Sequence, residues 1–185
     1  MKLCAAVYLA VLAASVAWFA ARKADAVTPP IAGVRLPRRG FVANLASLYA
    51  GGRVRASGYD GFRHHHPLFA IDEEEHPTPE EKWASLAGDS SLEVLLAGRA
   101  QVRWVTLTLA GAFETPLYTS RDFDVVCLQN GREVARVRQR GNQVARPKIL
   151  VDCPPVDSVR VEFPARAAPL DRGRVYEIEV WGALE

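Results

Sequence analysis

Apolar residues fall on alternate positions in one segment of this chain after another, and that rhythm excludes a helical fold. Val159, Val161 and Phe163 alternate with Ser158, Arg160 and Glu162. Val105, Leu107 and Leu109 alternate with Thr106 and Thr108, and Tyr176, Ile178 and Val180 with Glu177, Glu179 and Trp181. Successive side chains of a strand point to opposite faces, so each run predicts a strand with one buried and one wet face. Phe123 to Leu128 is apolar on both faces, which predicts a central strand. Asn130-Gly131 then supplies the positive φ angles of a tight hairpin, and the partner strand returns through Glu133 to Val137. Roughly eight such segments, broken by turn residues, predict an all-β antiparallel sandwich of jelly-roll type. One short helix is expected in addition. Thr78 can cap it, Pro79 suits its first position, Glu80 and Glu81 favour its positive end, and Gly88 supplies a stop.

The first 26 residues follow a different logic. Met1-Lys2 precedes an apolar run from Leu3 to Ala21, then Arg22-Lys23-Ala24-Asp25-Ala26. A basic start, an apolar stretch and small residues at Ala24 and Ala26 read as a secretory signal cleaved after Ala26. The run also approaches the ~20 residues that span a bilayer, so an uncleaved anchor is the second reading. Either way the domain is expected to be secreted, periplasmic or held at the cell envelope. The chain carries a net charge of +2, and without the leader acids and bases balance at twenty each. That balance argues against a nucleic-acid partner. Residues 27–40, with Pro29, Pro30 and Pro37 and no apolar period, read as a linker, and the domain as 41–185.

Export also changes the meaning of the cysteines. Cys4 belongs to the leader, leaving Cys127 and Cys153, each in phase with apolar neighbours. An even pair in an oxidising compartment points to a disulfide; two buried free thiols are the alternative. Neither a Ser-centred glycine elbow nor a His-Glu-x-x-His run nor a phosphate loop is present, so the expectation is a binding protein rather than an enzyme.

The order of several short pieces is more telling than any one of them. Asn44-Leu45-Ala46, Val54 to Tyr59, Ala70-Ile71-Asp72, Trp83, Leu92 to Leu96, Val102 to Leu109, Phe123-Asp124-Val125 with Asn130-Gly131, Val159-Arg160-Val161 and the closing Tyr176 to Gly182 follow one another in this order. Together they resemble the discoidin domain, also called the coagulation factor type C domain, over residues 41–185. The resemblance implies a galactose-binding-like sandwich that recognises ligands through loops at one end. Many bacterial members resemble carbohydrate-binding modules, while some animal members bind phospholipid head groups or proteins.

Within that frame the loop at residues 58–67 stands where the first ligand loop would be. Tyr59 and Phe62 offer aromatic faces for stacking on a sugar, and Arg63, His64, His65 and His66 offer groups for its hydroxyls. His64 or His65 is the residue the resemblance singles out; an ordinary solvated loop is the alternative. Arg121 and Asn142 stand in loops that carry hydroxyl-binding Arg and Asn in sugar-binding relatives. Arg132, Arg136, Arg138, Arg140 and Arg146 could instead build a local anion-binding face. The resemblance further implies a structural calcium ion held by Asp72 and Glu177, although Glu73 stands where the family commonly has glycine. A solvated acidic run is the alternative for Glu73 to Glu75. The expected partner is therefore a glycan, with a membrane lipid or a cell-surface protein as second choice.

Overall fold

The computed structural model describes residues 34–61, 65–86, 89–164 and 172–185. The leader and the start of the linker lie outside these residues. The strands are β1 (Ala43–Asn44), β2 (Arg53–Ala56), β3 (Trp83–Ala84), β4 (Ser90–Leu109), β5 (Phe123–Gln129), β6 (Arg132–Gln139), β7 (Lys148–Leu150), β8 (Val156–Phe163) and β9 (Arg174–Leu184). All their pairings are antiparallel.

The long β4 makes one chain into two layers. Its first half, Ser90 to Leu95, pairs with β2 and β8, and β8 continues to β5 and β6. The register breaks between Leu95 and Ala100. Its second half, Ala100 to Leu109, pairs with β9 and β7, and β9 carries β1 and β3. A corner strand of this kind lets the two sheets face each other across one core.

The core holds the alternate residues that the sequence pattern marks. Val105, Leu107, Leu109, Val159, Val161, Ile178 and Val180 are inaccessible to solvent, while Arg160, Glu162, Glu177, Glu179 and Trp181 on the other faces are half-exposed. Phe123 to Leu128 is buried throughout, as befits a strand between β6 and β8. Trp83, Phe163 and Phe123 form an aromatic chain through the core, with ring centroids 5.8 and 6.1 Å apart. The β5–β6 hairpin turns at Asn130 and Gly131, with φ of 51° and 73° as the Asn-Gly pair requires.

Two expectations need correction. The helix over 78–87 is not formed. Thr78 and Glu81 close a single turn, the Thr78 amide donating to Glu81 Oε2 at 2.7 Å and the Glu81 amide to the Thr78 carbonyl at 3.0 Å. The turn stops there, because Trp83 and Ala84 leave it to pair with Val175 and Arg174 in β9. Burying the Trp83 ring outweighs a two-turn helix, which is marginal in water. Helical geometry among the described residues is limited to short 3₁₀ turns such as Pro67–Ala70 and Pro116–Tyr118. The second correction concerns the cysteines: Cys127 and Cys153 are buried free thiols, not a disulfide. They are neighbours in the core. Their mutual hydrogen bond and burial raise the Cys127 thiol well above its ordinary value.

The strand directions give the sandwich two ends. The apical end holds the starts of β4, β5 and β9 and the ends of β2, β6 and β8; the basal end holds the β5–β6 turn, the β4 corner and residues 34–42.

Candidate functional site

Four apical connections lie against one another. After β2 the chain is stapled to β4 by Ser57, whose amide donates to the Ser91 carbonyl and whose Oγ accepts from the Ser91 amide, at 3.0 and 2.9 Å. Trp83 Nε1 donates to the Gly58 carbonyl at 3.0 Å, and the Asp60 amide to the Ala84 carbonyl at 2.9 Å. Arg172, just before β9, reaches Asp60 at 3.7 Å, and Arg174 lies over the Tyr118 ring at 4.2 Å. The loop after β6 joins the loop before β5. The Asn142 amide donates to the Arg121 carbonyl at 2.7 Å, and the Gly141 amide to Asp122 Oδ1 at 2.9 Å.

Within this frame the residues singled out from sequence separate into different roles. Arg121 is exposed at the tip and lies beside Asn142. The Asn142 side chain is fully engaged: Nδ2 donates to the Ser120 and Val144 carbonyls at 3.0 and 2.9 Å, and Oδ1 accepts from the Val144 amide at 3.1 Å. It braces the loop before β5 against the loop after β6. Tyr59 is half-buried against the core, with its ring edge-on to His66 at 5.2 Å. His66 Nδ1 caps the 3₁₀ turn by accepting from the Leu68 amide, and burial lowers its pKa. His65 is 3% exposed, so its ring is inside the loop rather than on the surface. Phe62, Arg63 and His64 lie outside the described residues.

Of the five arginines around β6, Arg132 and Arg138 are exposed, whereas the other three are already engaged. Arg136 bridges Asp124, Glu133 and Glu162 at 2.6–2.8 Å, and Arg140 reaches Asp124 at 2.6 Å. Arg146 rests over the Phe113 ring. Burial pushes Asp124 up, but its hydrogen bonds from Arg140 and Arg136 prevail and hold it below the usual carboxylate range. A cavity of about 420 Å³ opens beside this network, lined by Ser57, Asp89, Ser90, Asp124, Arg140 and Phe163 among others. Sequence reading missed it, because its groups come from five separate segments and no local spacing announces them.

A larger cavity, about 770 Å³, lies over β9 between Glu73, Phe113, Tyr176, Glu177, Glu179 and Trp181. Here Asp72 and Glu177 do come together. Burial raises Asp72 to about 6; burial and the Asp72 charge raise Glu177 to about 9. Glu177 Oε2 accepts from the Glu73 amide at 3.3 Å, whereas Oε1 is buried without a hydrogen-bond partner. Glu73 has φ of 61°, the left-handed conformation that glycine adopts without penalty. Glu73 thus holds a glycine-like backbone conformation at the position where the resemblance expects glycine. Two crowded carboxylates and an orphaned buried oxygen are a donor set suited to a hard cation. No group of three or more His, Cys, Asp or Glu side chains converges among the described residues, so backbone carbonyls would have to supply the remaining ligands.

No protein-family model matches this sequence, nor does any curated protein. Solved structures do match in fold. The lectin domain of Lectinolysin complexed with Lewis B antigen superposes with a TM-score of 0.62 at 21% identity, covering 75% of this chain and 95% of that one. A fucose binding module from Streptococcus pneumoniae gives 0.63 at 18%, covering 78% and 99%. The family 32 carbohydrate-binding module from C. perfringens in complex with galactose gives 0.59 at 15%, covering 76% and 99%. Antiparallel pairing, the corner in β4 and this likeness together show that the chain has the galactose-binding-like β-sandwich fold of these carbohydrate-binding modules.

Proposed function

We propose that this chain is an exported, discoidin-type module that binds glycan through its apical loops, by recognition without turnover. One observation carries the reading: separate connections are cross-braced at one end of a lectin-like sandwich and present an exposed guanidinium, Arg121, beside a loop held rigid by Asn142. A guanidinium fork offers paired donors to adjacent sugar hydroxyls, and loops ordered in advance lower the cost of binding. Phe62 and His64, which fall between Tyr59 and His65 in the sequence and outside the described residues, complete the proposed contact set by their residue types. A calcium ion held by Asp72 and Glu177 would tie the loop after the Pro67–Ala70 turn to β9 and neutralise their repulsion, with a structural role only.

A second reading rests on Leu117 and Leu86, which are 73% and 42% exposed at this same end and would suit a protein or lipid partner. A glycan array including fucosylated and galactosylated structures, run beside liposome binding, separates the two. Glycan binding that is lost in Arg121→Ala and insensitive to salt supports the proposal; array silence with liposome binding supports the second reading.

A further inference from the structure

The basal end carries a surface of a different kind. Leu36, Phe41 and Tyr49 are 60, 66 and 62% exposed. Isolated exposed apolar residues are ordinary, but these three gather at one end of the sandwich. The Arg35 amide donates to the Tyr49 carbonyl at 3.1 Å, which places Leu36 beside Tyr49. A side chain at Gly51 would meet both Leu36 and Ala97, and the β4 corner at Gly98 lies against Leu184. The Gly40 amide donates to the Leu184 carbonyl at 3.1 Å, which brings Phe41 to the same rim.

Arginines are interleaved with these rings. Arg35, Arg38 and Arg39 are exposed in the same stretch, Arg35-Leu36-Pro37-Arg38-Arg39-Gly40-Phe41, while Arg99 on the neighbouring corner is paired with Glu185. Residues 27–185 are neutral as a whole, so this local excess is offset elsewhere, notably by Glu73 to Glu75 on the cavity over β9. Exposed aromatic and aliphatic side chains among arginines suit a lipid headgroup layer, where rings sit at the interface and guanidiniums meet phosphates.

The chain's own course names the occupant. The apolar run ends at Ala21, and Val34, the first described residue, enters at this basal end. Twelve residues lie between, so the rim stands no more than about 45 Å of extended chain from that run. An apolar run retained in the bilayer would hold this end of the domain towards it.

We propose that the basal end is a membrane-contact surface that seats Leu36, Phe41 and Tyr49 in the headgroup region of an anionic bilayer, with Arg35, Arg38 and Arg39 against lipid phosphates. The apical loops then point away from the membrane. The proposal does not rest on glycan binding and stands or falls separately from it.

The test uses the full chain in a Cys4→Ser background, reconstituted into phosphatidylcholine vesicles with or without phosphatidylglycerol. An environment-sensitive fluorophore is attached at Phe41→Cys, Tyr49→Cys or, at the far end, Leu117→Cys; Cys127 and Cys153 are buried and resist labelling. The expected result is that labels at 41 and 49 are shielded from an aqueous quencher and quenched by brominated lipid when phosphatidylglycerol is present. The label at 117 stays open to water, and replacing the three arginines with serine abolishes the shielding. Equal water access at 41, 49 and 117 would overturn the proposal. So would shielding that persists without anionic lipid and coincides with cross-linking between two copies, which would make the rim a protein interface.

Discussion

At the scale of single residues, the same type of side chain does different work according to what already holds it. Arg136 is closed in by three carboxylates, Arg146 lies on a ring, and Arg121 alone of the two predicted apical pair offers free recognition chemistry. Arg121→Ala should therefore abolish glycan affinity while leaving the melting temperature unchanged. Asn142→Ala should do the reverse in part: it removes three backbone hydrogen bonds and should cost about 1–3 kcal/mol of stability in chemical denaturation. At Glu73 the φ of 61° penalises any side chain by about 1 kcal/mol, so Glu73→Gly should raise stability by that amount. Unchanged stability there would mean that its 3.4 Å contact with Asn44 compensates. The roles of Arg121 and Asn142 were not separable in the sequence. Both residue types suit hydroxyls, and only the hydrogen-bond partners distinguish a contact from a brace.

At the scale of elements, the period-two pattern was legible because a strand in a sandwich has no choice about which face is wet. Val159, Val161 and Phe163 are buried for that reason, and Asn130-Gly131 turns the hairpin because few other pairs reach those angles. The failed helix shows the limit. Thr78 and Glu81 do form a local turn, but local signals say nothing about Val175, the distant partner that draws Trp83 into the sheet. The closing strand holds a further lesson. A side chain at Gly182 would stand 2.4 Å from the Gln101 carbonyl, where β9 crosses the β4 irregularity. Gly182→Ala should cost about 2–3 kcal/mol, measured by urea denaturation. The charged network across β5, β6 and β8 gives a pH dependence. Asp124 is held low when folded, so its stabilising contribution is full above the ordinary carboxylate pKa and is lost as pH falls through the depressed folded value. Thermal melts should therefore weaken below about pH 4, and Asp124→Asn should flatten that slope.

For the whole molecule, the two ends divide the labour: braced loops and an exposed guanidinium at one, a basic and apolar rim at the other. The carboxylate cavity lies over β9, and the calcium proposed there is testable through stability. Calcium should raise the melting temperature of the chain, a chelator should reverse that rise, and Glu177→Gln should remove the response without changing the fold by circular dichroism. The buried thiol pair makes a further global prediction. Oxidation would close the loop from 127 to 153 and stabilise the domain by about 3 kcal/mol, yet both thiols are buried away from solvent reagents. Native protein should accordingly show two unreacted thiols that are alkylated only after unfolding. The central claim remains recognition at the apical end, and isothermal titration with the strongest array glycan tests it most directly. Binding that falls at least tenfold in Arg121→Ala and is unchanged in the basal variant Phe41→Ser is the predicted result. Affinity indifferent to Arg121, or weakened equally by Phe41→Ser, would contradict it.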